Sequence, residues 1–103
     1  MGNKTKQDVR QLRAIGHKLR PVVTVAGNGL SEGVVSEIDR ALSDHELIKI
    51  KLAVGDKSAR TAVAEELCDR AGAEIVQSIG NVILVLRRAS KPDPRKSNLI
   101  RPL

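Results

Sequence analysis

One hundred and three residues, 41% of them apolar, leave room for one domain and one core, and with no Phe, Tyr or Trp that core must be built from Val, Ile, Leu and Ala. A formal net charge of +6 points to an anionic partner, nucleic acid or an anionic membrane surface. Their absence also excludes stacking of bases on Phe, Tyr or Trp, the usual grip on single strands.

The charge is unevenly spread: +5 over residues 1–20, −3 over 21–87 and +4 over 88–103. The single cysteine, Cys68, excludes an internal disulfide and fits a reducing compartment. No apolar run approaches the ~18 residues of a membrane span, and the basic start lacks the apolar stretch of a secretory signal. No cluster has metal-ligand spacing. The expectation is a soluble, cytoplasmic monomer with no membrane association, no metal and no small-molecule cofactor.

In chain order, Thr5 can cap a first helix on which Val9, Leu12, Ile15 and Leu19 recur at the helical period, with Asp8 in its first turn. Lys6, Arg10, Arg13, His17 and Arg20 step by four and three along a second stripe of the same helix, with Lys18 beside it. Such a stripe is either a solvated face or a contact surface for an anion. Pro21 ends the helix.

Val22 to Ala26 reads as a short strand without alternation, as if both its faces were covered. Gly27-Asn28-Gly29 then makes a bare turn. Ser31 is a good N-cap for a second helix, Leu30 and Val35 can staple its start, and Val34, Ile38, Ala41 and Leu42 form its apolar stripe. Glu37, Asp39 and Asp44 make the outer face of that helix a poor phosphate binder, so an anion should meet its N-terminus.

Ile48, Ile50, Leu52 and Val54 alternate with Lys49, Lys51 and Ala53, a strand with one buried face. Asp56 or Ser58 starts a third helix that is expected to turn Ala59, Ala62, Val63, Leu67 and Ala71 inward and to stop at Gly72. Glu74 to Ile79 and Val82 to Leu86 are strands joined at Gly80-Asn81, a two-residue hairpin signal. From residue 89 onward Pro92, Pro94 and Pro102 interrupt a basic segment expected to be flexible.

The order α-β-α-β-α-β-β predicts a two-layer α/β domain over residues 1–88. Its mixed four-stranded sheet should close with an antiparallel hairpin, because so short a loop permits nothing else.

The turn at Gly27 to Gly29 has two readings. Without β-carbons it can adopt positive φ and let another backbone come close, and the helix start behind it offers free N–H groups to a phosphate. It is also a plain way to turn a strand into a helix. The spacing matches neither the dinucleotide fingerprint nor the P-loop.

Two runs, HKLRPVVTVAGNGLSEGVVSEIDRALSDHELIKIKL and AEELCDRAGAEIVQSIGNVILVLRR, closely resemble the bacterial YhbY family, a stand-alone CRM (chloroplast RNA splicing and ribosome maturation) domain, over roughly residues 8–88. The resemblance implies a fold like the C-terminal domain of translation initiation factor three. It also implies an RNA-binding protein that associates with precursor rRNA of the large ribosomal subunit, with a G-x-x-G loop approaching the RNA backbone. Here that loop is Ala26-Gly27-Asn28-Gly29, an alanine standing for the first glycine, and the last strand, VILVLRR, lacks the tyrosine often found near its end.

Catalysis finds little support in the remaining residues. His17 and His45 have no Cys or acidic partner at ligand spacing; His45 is expected to settle the loop before a strand. Cys68 reads as a small packed thiol, and Glu65, Glu66 and Asp69 as a solvated helix face. The leading expectation is therefore a non-enzymatic RNA-binding protein that grips the backbone by shape. Lys6, Arg10, Arg13, His17, Lys18 and Arg20, the turn Ala26 to Gly29, and Arg87 and Arg88 would form the contact, extended by Lys91, Arg95 and Lys96. The alternatives are a module whose basic ends dock an acidic ribosomal or translational protein, and a small phosphate-ligand or nucleotide enzyme.

Overall fold

The computed structural model describes residues 6–27 and 29–100. Thr5, Asn28 and Pro102 lie outside the described residues, and of Lys6 and Asp8 only the backbone is described. The elements are α1 (Lys6–His17), β1 (Pro21–Val25), α2 (Glu32–His45), β2 (Leu47–Leu52), α3 (Lys57–Ala71), β3 (Glu74–Ile79) and β4 (Val82–Leu86), the order read from the sequence.

Local signals place the helix ends. Ser31 caps α2, its Oγ accepting from the Val34 N–H at 3.2 Å, and Asp56 caps α3 by accepting from the Ala59 N–H at 2.9 Å. Gly72 ends α3 in the left-handed conformation at φ 66°. The Gly80-Asn81 hairpin has its positive φ, 59°, on the first of the two residues, as a type II′ turn requires.

The sheet runs in the order β1-β2-β4-β3. β1 and β2 are parallel, and β4 pairs antiparallel with both β2 and β3. The hairpin therefore inserts β4 between β2 and β3, which point the same way. Continuous apolarity explains that place: in VILVL, Ile83 and Val85 face α2 and α3, while Leu84 and Leu86 face α1.

Two clusters fill the interior. Ile38 and Leu42 of α2, with Ala64, Leu67 and Ala71 of α3, pack on Val23, Val25, Ile48, Ile50, Leu52, Ile83 and Val85. Beyond that layer, α1 lies on the other sheet face, with Leu12, Ile15 and Leu19 against Leu47, Val76, Leu84 and Leu86. Gly16 permits the close approach, since a Cβ there would sit 2.5 Å from Leu84 Cδ2.

Three expectations are corrected. β1 is an edge strand with one covered face: Val23 and Val25 are buried while Val22 and Thr24 are exposed, and β4 is the strand enclosed on both sides. Ala62 points outward and Ala64 takes its place, because Ala64, Leu67 and Ala71 share the inner face by their spacing of three and four. The helices lie on both faces of the sheet, three layers rather than the expected two, because α1 buries its own apolar stripe on Leu47, Leu84 and Leu86. Within the segment from residue 89, Ser97 and Asn98 are buried and Leu99 joins the α1 cluster.

Glu46 anchors that segment. It is buried, at 3% exposure, and holds φ at 65°, the positive value that a non-glycine residue adopts only at a cost of about 1 kcal/mol or more. Its Oε1 accepts from Ser97 Oγ and its Oε2 from the Ala89 N–H, both at 2.6 Å, and its carbonyl accepts from the Arg87 N–H. Asn98 donates to the carbonyls of His45 and Leu47, and His45 Nδ1 donates to the Lys96 carbonyl. His45 is thus structural, as its place before the strand suggested. Glu46→Gln sets an amide NH2 against one of two donors. It is expected to lower stability by about 1–3 kcal/mol in urea unfolding and to speed proteolysis within residues 89–100.

Candidate nucleic-acid interface

Alternation in β2 decides which cations face solvent. Ile48, Ile50 and Leu52 enter the core under α2 and α3, which sends Lys49 and Lys51 to the face on which α1 lies. On that face α1 packs on the Leu47, Leu84 and Leu86 end, and among the described residues Lys51 and Ile79 beyond it are exposed.

Arg10, Arg13, His17, Lys18 and Arg20 are all exposed, and among the described residues none of their side chains has a hydrogen-bond or ion-pair partner. Lys49 and Lys51 are equally unpaired among the described residues. Acidic side chains concentrate instead on α2, which carries Glu32, Glu37, Asp39 and Asp44 on the opposite side of the sheet.

The turn after β1 is closed by the Gly29 N–H donating to the Ala26 carbonyl at 2.8 Å. Gly29 needs its missing side chain, since φ is +73° there. Gly27 is exposed, and a Cβ built on it meets nothing within 4 Å, so the outer side of the turn is open. Ala26 is exposed beside it. Arg70 of α3 reaches the base of the turn, 3.4 Å from the Leu30 carbonyl, a cation the sequence did not point to.

The structure brings some predicted residues together and separates others. The two basic ends of the chain meet: Leu19, Arg20 and Asn98 line one hollow, and Leu19 and Leu99 share a cluster. The turn lies at the other end of β1, roughly 16 Å away along five residues of strand. Lys49 and Lys51 bridge that gap, paired in register with Pro21 and Thr24. Sequence reasoning left them out of the site although their alternation with Ile48 and Ile50 had already put them on one face.

Arg87 is displaced from the predicted contact. Its guanidinium donates to Asp39 Oδ1 at 2.7 Å, to the carbonyls of Ala71 and Asp39 and to Ser43 Oγ, so it ties α2 to the end of α3. Arg88 and Lys91 are exposed; Lys96 lies 3.9 Å from Asp44 and Arg95 4.0 Å from Asp93. Burial, and then the Asp69 carboxylate, push the Cys68 thiol above its ordinary pKa, which favours the protonated form. Among the described residues no group of three or more His, Cys, Asp or Glu is arranged to hold a metal, and no helix is long and apolar enough to cross a membrane.

The pattern of the CRS1 / YhbY (CRM) domain matches residues 5–87. The chain belongs to that family. This CRM domain is 48% identical over 97 residues, 94% of its length and 93% of the relative's, to a Pseudomonas aeruginosa protein named probable RNA-binding protein. A Haemophilus influenzae protein named RNA-binding protein is 39% identical over 88 residues, covering 82% of this chain and 89% of that one. The CRM domain also superposes on the solution structure of a Staphylococcus aureus protein described as a candidate RNA-binding protein. The TM-score is 0.74 at 28% identity, over 86% of this chain and 93% of the other.

Removal of the Arg87 guanidinium separates its structural part from any binding part. Arg87→Ala is expected to cost about 2 kcal/mol in chemical denaturation, discounted for the exposure of Asp39, and to leave RNA affinity within about twofold in a fluorescence titration.

Proposed function

We propose that this CRM domain binds RNA by its sugar-phosphate backbone, and that it does so on precursor rRNA of the large ribosomal subunit during assembly, as a cytoplasmic monomer without a catalytic step. The observation that carries the binding face is the run of cations, without a partner among the described residues, from α1 across Lys49 and Lys51 toward the turn at the exposed Gly27. A cation without an acidic neighbour keeps its full field for a phosphate, and the acidic α2 surface behind the sheet orients the molecule toward a polyanion. The names of the relatives support RNA as that polyanion, and the likeness to the YhbY family supports the ribosomal precursor.

In this reading Arg10, Arg13, Lys18 and Arg20 hold phosphates on one side, Lys49 and Lys51 continue the track, and the turn at Gly27 admits the backbone. His17 and Arg88 extend the surface at its margins, and Lys6 belongs to the same helix. Recognition by such contacts follows the shape of the RNA rather than its base sequence.

With about six phosphates engaged, log affinity against log salt should fall with a slope of roughly −4 to −5.5, and a slope near zero overturns the mechanism. Reversing Arg10 and Arg13 to Glu is expected to weaken binding to a purified rRNA fragment by about tenfold or more. Unchanged RNA binding with loss of an acidic protein partner would favour the docking alternative. Gly27→Val places its side chain in open space at an ordinary φ, so the fold should survive with severalfold weaker RNA binding by gel shift. Wild-type affinity in that variant would remove the turn from the contact.

A further inference from the structure

We propose that the depression beside α1 on the lysine-bearing sheet face receives one unpaired nucleobase of the bound RNA, a reading that rests on the RNA-binding function above. Strand register builds the site. Pro21, Lys49, Leu84 and Gln77 stand side by side across β1, β2, β4 and β3, and Thr24, Lys51, Val82 and Ile79 form the next row. Directly paired residues share a sheet face, so both rows look out on the same side.

Pro21, Lys49, Gln77, Ile79, Val82 and Leu84 line a depression of about 240 Å³ there. Pockets that enclose a whole small molecule usually have ~300–1,000 Å³, so this one suits a single ring system. α1 packs through Gly16 on Leu84, which belongs to that lining.

The lining has the polarity of a base. Half-buried Val82 makes an apolar floor, with the buried Leu84 at its edge, and Ile79 stands beside it at 66% exposure, the most exposed large apolar side chain among the described residues. Such a side chain gains on being covered, at about 25 cal/mol per Å² of apolar area. At the rim, the Gln77 amide donates and accepts while the Lys49 ammonium donates, and both are half-buried. An apolar slot with a polar rim accepts a ring's face and edge together.

A base inside an A-form helix hides both faces in its stack, so only an unpaired nucleotide can enter. Lys51 on the neighbouring row, and the cations of α1, then meet the phosphates on either side of it. With no Phe, Tyr or Trp in the chain, an aliphatic slot offers this protein a way to hold a base by its face.

The test compares three short RNA hairpins bound by the full chain: fully paired, with one bulged nucleotide, and with the same bulge made abasic. Wild type is expected to bind the bulged RNA about fivefold more tightly than the other two. Ile79→Ser and Gln77→Ala are expected to abolish that preference while binding the paired RNA within about twofold of wild type. Thermal melts verify the fold, and Lys49→Gln, which also removes a cation from the phosphate track, provides a third variant read only as its ratio of bulged to abasic binding. Equal binding of bulged and abasic RNA by wild type, or a preference that survives all three substitutions, overturns the base slot and leaves backbone binding standing. Failure to bind any of the three RNAs at low salt overturns the RNA-binding reading itself.

Discussion

The register of β2 is the constraint from which the rest follows. In Leu47-Ile48-Lys49-Ile50-Lys51-Leu52 the side chains alternate between two environments, and the strand sits inside the sheet with β1 on one side and β4 on the other. A slip of one residue would drive both lysines under α2 and α3 and push Ile48 and Ile50 into solvent. Burying an unpaired ammonium costs several kcal/mol, so the register is strongly specified. The same alternation that secures the core therefore presents the cations.

The two sheet faces are treated unequally, and that asymmetry leaves part of one face exposed. α2 and α3 together cover one face with an aliphatic core, whereas α1 covers only part of the other. The docked C-terminal segment completes the cover at the Leu47 and Leu86 end, held by the Glu46 carboxylate and by Asn98. What remains open is the half with Lys49, Lys51, Gln77 and Ile79, framed by α1 and the hairpin. Net charge is then separated across the sheet, basic on the α1 side and acidic along α2. Such a dipole orients the molecule before contact.

Much of this was legible in the linear pattern. The element order, the Ser31 and Asp56 caps, the Gly72 stop, the Gly80-Asn81 hairpin and the exposed stripe on α1 all rest on interactions among residues within a few positions of one another. Arg87 was misread for the opposite reason: a basic residue after a strand looks free until α2 brings Asp39 and Ser43 to it from more than forty positions away. The tail from residue 89 looked mobile because its composition is polar and proline-broken. Ser97 and Asn98 are nevertheless buried, since their hydrogen bonds run to Glu46 and Leu47 about fifty residues earlier.

Sequence alone determined what each segment is and which sides of it are apolar or charged, because helix and strand periods and cap chemistry are local. Only the tertiary structure decided that α1 lies on the sheet face opposite α2 and α3, that the turn and the two basic ends occupy opposite ends of β1, and that Lys49 and Lys51 join them. Those are matters of layer and strand order, set by which apolar surfaces bury one another across long stretches of chain, and no short-range pattern encodes them.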